Sequence, residues 1–126
     1  MFQFINQQTE LDAVLSLMEN NSIYGLDTEF IKVDTFWPKL GVFQINVASQ
    51  VYLLDGTQLD LTQFWGKIFA AQQNIFHACS EDVDLIYHYS EQKLLNNIFD
   101  TQVAMSFLGH GLQVSYQNAL KQMLDI

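Results

Sequence analysis

Ile23-Tyr24-Gly25-Leu26-Asp27-Thr28-Glu29-Phe30 is an apolar run that closes on two carboxylates two residues apart. Read as a strand, it sends successive side chains to opposite faces, so Asp27 and Glu29 share one face while Leu26, Thr28 and Phe30 take the other. At roughly 5 Å two such charges repel by about 1 kcal/mol in water and by about 3 kcal/mol at the effective dielectric of a partly buried site. The pair fits two readings. Either the strand runs out into solvent, where acids are well hydrated, or a cation sits between them. Partners from elsewhere in the chain decide between the two.

The whole chain supplies enough apolar material for one packed domain. Its 126 residues are 49% hydrophobic, 13% aromatic and 15% charged, sufficient to bury about two-thirds of the unfolded surface and unlike a disordered segment. One cysteine, Cys79, cannot form an internal disulfide, which fits a reducing compartment and sets the expectation of a cytoplasmic location. No apolar run has the length of a membrane span, and no basic-then-apolar leader opens the chain. Five Lys plus Arg face 14 Asp plus Glu, a net charge of −9. Broad neutralisation of nucleic-acid phosphates is thereby excluded. Cation binding, or a nucleic-acid enzyme whose grip lies on metal ions or on another domain, is compatible with that balance.

In chain order, Phe2 to Ile5 reads as a short strand, and Leu11, Val14, Leu15 and Met18 recur at helical spacing after Thr9, a candidate helix opener. The acid-bearing strand follows, then a turn at Trp37-Pro38. Val42 to Val47 and Val51 to Asp55 form two strands joined by Ala48-Ser49-Gln50, of hairpin length. Leu61, Phe64, Trp65, Ile68 and Phe69 follow a helical period, and residues 74–78 form a buried strand. Ser80 is a candidate N-cap for a helix with Val83, Ile86 and Tyr87 on its apolar face. Ile98-Phe99 is a short strand, Asp100-Thr101 caps a helix running through Phe107, and Gly109 to Gly111 lead into a last helix, Val114 to Leu124. Strands alternating with helices predict an α/β fold with a mixed sheet.

In such sheets ligands gather outside the carboxyl ends of the strands. His77-Ala78-Cys79-Ser80-Glu81-Asp82 occupies one such end and brings Glu81 and Asp82 to the first turn of a helix. Asp82 is either an acid placed for the helix dipole or a third member of the Asp27 and Glu29 site. His77 is either a metal or substrate contact or a hydrogen-bonded packing residue. Cys79 has no Cys or His partner at zinc-ligand spacing.

Leu26-Asp27-Thr28-Glu29-Phe30, Trp37-Pro38-Lys39-Leu40-Gly41-Val42-Phe43-Gln44-Ile45, His77-Ala78-Cys79-Ser80-Glu81-Asp82 and Phe99-Asp100-Thr101-Gln102 together resemble ribonuclease D, a 3′-5′ exoribonuclease of the DEDD superfamily. The resemblance spans the chain and implies a ribonuclease H-like, mixed five-stranded sheet flanked by helices. It implies two divalent cations, Mg²⁺ or Mn²⁺, held by Asp27, Glu29 and Asp82 as catalytic residues: Asp27 bridging, Glu29 on one ion and near the substrate's 3′ end, Asp82 on the other. RNA 3′ ends are the implied partners, tRNA precursors and other structured RNAs among them. Thr28, Phe30, Trp37 and His77 are candidates for substrate contact, and core packing explains the aromatic members equally well.

The family's third motif, a tyrosine four residues ahead of a fourth aspartate, does not occur in this sequence, nor do the nucleic-acid-binding domains that follow the nuclease domain in ribonuclease D. Residues 1–126 are therefore expected to be an incomplete, C-terminally truncated exonuclease domain, to bind metal weakly, to be nearly inactive alone, and to self-associate through exposed apolar residues such as Met105, Leu108, Met123 and Leu124. Two rivals share the same residues: a catalytically dead ribonuclease H-like domain that binds nucleic acid or protein, and an acidic α/β interaction domain whose acids are all solvated.

Overall fold

The computed structural model describes residues 1–31 and 36–126. In chain order these form β1 (Phe2–Ile5), α1 (Gln8–Glu19), β2 (Ile23–Ile31), β3 (Lys39–Val47), β4 (Gln50–Asp55), α2 (Thr62–Ala70), β5 (Gln73–Phe76), α3 (Ser80–Tyr89), β6 (Ile98–Asp100), α4 (Thr101–Phe107) and α5 (Tyr116–Leu124). The strands make a single mixed sheet of order β1-β4-β3-β2-β5-β6. Neighbours β2-β3 and β3-β4 are antiparallel, while β1-β4, β2-β5 and β5-β6 are parallel. The sheet thus has six strands where the family resemblance implied five, with β1 as an edge strand beside β4.

Period-2 patterning decides which face is covered. Tyr24, Leu26 and Thr28 of β2, Phe43, Ile45 and Val47 of β3, and Leu54 of β4 are buried. All of these except Thr28 share one apolar cluster with Leu11, Val14, Leu15 and Met18 of α1, Phe64 and Ile68 of α2, and Leu85 and Ile86 of α3. Phe43 and Phe64 meet edge-on at 4.9 Å between ring centroids, a favoured aromatic arrangement. The intervening residues face the other way: Asp27 lies opposite Gln44 and Gly25 opposite Asn46, and Asp27, Gln44 and Asn46 are all exposed. A smaller cluster of Met105, Val114 and Ala119 holds α4 against α5.

Local chemistry departs from the sequence reading at several junctions. The β3-β4 loop is two residues rather than three: Ala48 (φ 51°) and Ser49 (φ 63°) both lie in the left-handed region, and Gln50 already pairs with Val47. That geometry is the type I′ turn, whose twist matches the flanking strands. Thr9 does not cap α1, which follows Gln7 without a side-chain cap. Ser80 is the first residue of α3 rather than its cap. Ser115 caps α5, reached through Gly109 and Gly111, both at positive φ. Of the segment read as a turn before β3, Lys32 to Thr35 lie outside the described residues.

Candidate active site

β2 carries Asp27 and Glu29 to the sheet's open face, both exposed, while Leu26 and Thr28 turn inward. β5 stops at Phe76 and pairs with β2 only as far as Gly25. Past that point no strand among the described residues lies beside the β2 edge on this side, and Asp82 of α3 takes the place. Its Oδ1 accepts the Thr28 backbone N–H at 3.0 Å and the Thr28 hydroxyl at 2.5 Å. Asp82 and Thr28, 54 residues apart in sequence, are each only 6% exposed. Thr28 is therefore the partner that aims Asp82.

The acids act on one another in a chain. Burial pushes the Asp82 carboxyl up to about 6; the Thr28 hydroxyl bond opposes this, and the negative charge of Asp27 adds to the rise. Asp27 meets solvent from within a concave groove, and partial loss of water raises its carboxyl, followed by the charge of Glu29, against a bond from the Thr28 backbone. Two carboxyls held above their ordinary range by burial and by like charge are what a bound cation relieves.

Nitrogen and sulfur donors nearby are otherwise engaged. His77 Nε2 lies 2.7 Å from the Val114 carbonyl, which only accepts, so Nε2 donates there; Nδ1 lies 2.8 Å from the Thr101 hydroxyl. The ring also meets Tyr116 at 5.5 Å. His77 thus ties the end of β5 to the starts of α4 and α5. Burial, then the hydrogen bond to Asp100 and the charges of Asp100 and Asp82, push the Cys79 thiol up to about 11, leaving it neutral near pH 7. The donor set that remains, carboxylate oxygens, suits a hard divalent cation. Among the described residues no three His, Cys, Asp or Glu side chains come together in a group able to hold a metal ion.

Two hollows flank the acids. One, of about 290 Å³, is lined by Gly25, Asp27, Gln44, Asn46, His77 and Tyr116 among others. The second, of about 250 Å³, is walled by Phe30, Phe36, Trp37, Pro38, Leu85 and His88, with Glu81 and Asp84 beside them. Trp37 stacks on His88 at 5.1 Å. The sequence reading named Phe30, Trp37 and His77 but missed Tyr116 and Gln44, which come to Asp27 through the turn into α5 and the β2-β3 register. It also missed what Gly41 does. The β2-β3 ladder shifts register between Glu29 and Phe30, and a Cβ on Gly41 would stand 3.0 Å from the Glu29 carbonyl oxygen, so glycine lets β3 pass close behind Glu29.

Residues 2–126 match the 3′-5′ exonuclease family. The chain belongs to that family. Ribonuclease D of Bartonella henselae is 32% identical over 125 residues, a match that covers 97% of this chain and 30% of that protein; the chain spans less than a third of that relative. Among solved structures, Escherichia coli RNase D, an exoribonuclease involved in structured RNA processing, superposes with a TM-score of 0.84 at 22% identity over 100% of this chain and 34% of its own. Trypanosoma brucei RNase D in complex with RNA U12 gives a TM-score of 0.84 at 15% identity over 99% of this chain and 47% of its own. At such identities these two establish likeness of fold. The motif resemblance to ribonuclease D and the α/β exonuclease fold it implied are therefore borne out. No helix among the described residues is long and apolar enough to cross a membrane.

Proposed function

We propose that this domain is part of a 3′-5′ exoribonuclease and that Asp27, Glu29 and Asp82 hold divalent cations, Mg²⁺ or Mn²⁺, beside an RNA 3′ end. The observation that supports this best is the pull of Asp82 onto the edge of β2 by Thr28, within the field of Asp27. Acids from two distant parts of the chain are thereby coupled, at the carboxyl end of β5 where an α/β sheet offers its ligand site. Such ions, when bound, supply an activated water and stabilise the leaving oxygen of a phosphodiester.

The chain's own residues do the positioning. Thr28 fixes the direction of Asp82, and Gly41 lets the strand carrying Glu29 lie close to β3. Phe30 and Trp37 offer aromatic surface on which an unpaired base stacks. His77, with both ring nitrogens turned inward, acts as a wall and a tether rather than as a base. Three acids make an incomplete cage, so residues 1–126 alone bind metal weakly and are nearly inactive on RNA. The natural substrates are structured RNA 3′ ends, tRNA precursors among them, in a reducing cytoplasm that suits the lone Cys79.

One observation favours the rival reading, a ribonuclease H-like binding domain without catalysis: among the described residues no three acids come together in a group able to hold a metal ion. Calorimetric titration with Mn²⁺ separates the two. Wild-type protein should bind weakly, and Asp27→Asn should weaken binding by at least about tenfold, since it removes both charge and a ligand. An isotherm unchanged by the substitution would place the cation elsewhere, and no binding to the wild type would favour the rival.

A further inference from the structure

Helix α3, which carries Asp82, starts at Ser80 with no side-chain cap of its own; Cys79 precedes it and makes no such bond. The two residues that lead into it are held instead from another part of the sheet. Asp100, the last residue of β6, places Oδ1 2.9 Å from the Ala78 N–H and 2.8 Å from the Gln102 N–H, and Oδ2 2.9 Å from the Cys79 N–H. One carboxylate therefore caps α4 and also grips the two residues, Ala78 and Cys79, that lead into α3. Burial pushes its carboxyl up, but the bonds from Cys79, Ala78 and Gln102 together outweigh this and hold it below the usual range.

The same junction grips the chain at the preceding residues. The Thr101 hydroxyl donates to the Phe76 carbonyl at 3.0 Å and meets His77 Nδ1. Ala78 then turns through φ 61°, a left-handed conformation that costs a non-glycine residue about 1–2 kcal/mol and persists where the surroundings over-determine it. From Cys79 the chain enters α3 directly, its carbonyl accepting the Val83 N–H at 2.9 Å, and Asp82 lies three residues after Cys79.

From this arrangement we infer that Asp100 is a positioning residue for the acid site, a brace that fixes the start of α3 and thereby the place of Asp82 on the edge of β2. Its role as a metal-site brace rests on the function proposed above; its role in placing Asp82 does not. Asp100→Asn keeps one acceptor but turns an N–H₂ toward an N–H, so it breaks at least one of the three bonds. The control is Asp60→Asn, because Asp60 Oδ1 likewise accepts from a backbone N–H at a helix start, that of Thr62 in α2, and from the Thr62 hydroxyl, with no bond to α3.

Amide hydrogen exchange reads the placement without metal. In Asp100→Asn the Thr28 amide, whose acceptor is Asp82, should exchange at least about tenfold faster than in an Asp60→Asn variant, after correction for the global stability of each. In the wild type, Ala78 and Cys79 should exchange about tenfold or more slower than unprotected amides, although Ala78 is exposed and both precede the helix; this arm stands even where Asp100→Asn does not fold. Mn²⁺ affinity, measured alongside, should fall by about tenfold in Asp100→Asn and stay unchanged in Asp60→Asn. Unprotected Ala78 and Cys79 amides, or equal Thr28 exchange in the two variants, would overturn the brace. A wild type that binds no Mn²⁺ while Thr28 exchange responds to Asp100→Asn would count against the proposed function and leave the brace standing.

Discussion

At Asp82 a carboxyl that is 6% exposed accepts two hydrogen bonds from Thr28 and is still pushed up from its ordinary 3.8 to about 6, because burial and the charge of Asp27 outweigh those bonds. The folded chain therefore holds this proton more tightly than the unfolded chain. Stability falls as pH rises through the window from about 4 to about 6, and above it the full loss, of order 2–3 kcal/mol, is in place. Asp82→Asn keeps the shape and an acceptor for Thr28 but carries no charge. It should be more stable than wild type by about 1–3 kcal/mol at pH 7.5, with a flatter stability profile between pH 4 and 6; urea melts across that range would contradict the account if the variant were the less stable at pH 7.5. Asp100 has the opposite sign. Its lowered carboxyl stabilises the fold above the ordinary carboxylate value and loses that contribution as the pH drops through its own lower value. The shared face of Asp27 and Glu29 was legible from period 2 alone. The Thr28 link to Asp82 was not, because it depends on where β5 ends and leaves the β2 edge open.

Among the elements, helices were read from spacing and their ends were not. Leu11, Val14, Leu15 and Met18 bury as α1, and Phe64 and Ile68 as α2, because a 3.6-residue period leaves one solution against a sheet. Thr9 and Ser80 look like caps in sequence, yet neither α1 nor α3 has a side-chain cap; Asp100 holds Ala78, ahead of α3, from 22 residues away, and local pattern cannot see an acceptor that arrives through a neighbouring strand. The β3-β4 turn was one residue shorter than expected because Ala48 and Ser49 carry no Asn-Gly signature. Their positive φ values make the element improvable. Replacing Ala48 by Asn and Ser49 by Gly should raise stability by about 1 kcal/mol, since those residues adopt the left-handed region with less strain. A thermal melt of the double variant that shows no gain, or a loss, would argue against a type I′ turn here.

At the scale of the molecule the two sheet faces are unequal. One carries α1, α2 and α3; the other presents Asp27, Gln44 and Asn46, and by register Phe2 and Phe4. The fold class followed from the alternation of strands and helices. The apolar surface did not follow residue by residue: Met105, expected to be bare, is buried against Val114 and Ala119, whereas Leu108, Met123 and Leu124 are exposed as expected, together with Phe107 at 87%. Phe99, Val103, Phe107 and Leu108 line one shallow hollow beside β6. Monomers rarely expose a contiguous apolar patch of more than a few hundred Å², so the chain should self-associate at micromolar concentration in the ultracentrifuge and Phe107→Ser should weaken that association; a strictly monomeric wild type would contradict it. The central claim, that Asp27, Glu29 and Asp82 form one cation site, is tested most directly by adding substoichiometric Mn²⁺ to isotopically labelled protein and following paramagnetic broadening of the amide resonances. The account predicts that broadening is strongest at residues 26–30 and 80–83 together and disappears from both in Asp27→Asn. Broadening confined to one of these two segments, or centred on other acids such as Asp55 or Asp60, would contradict it.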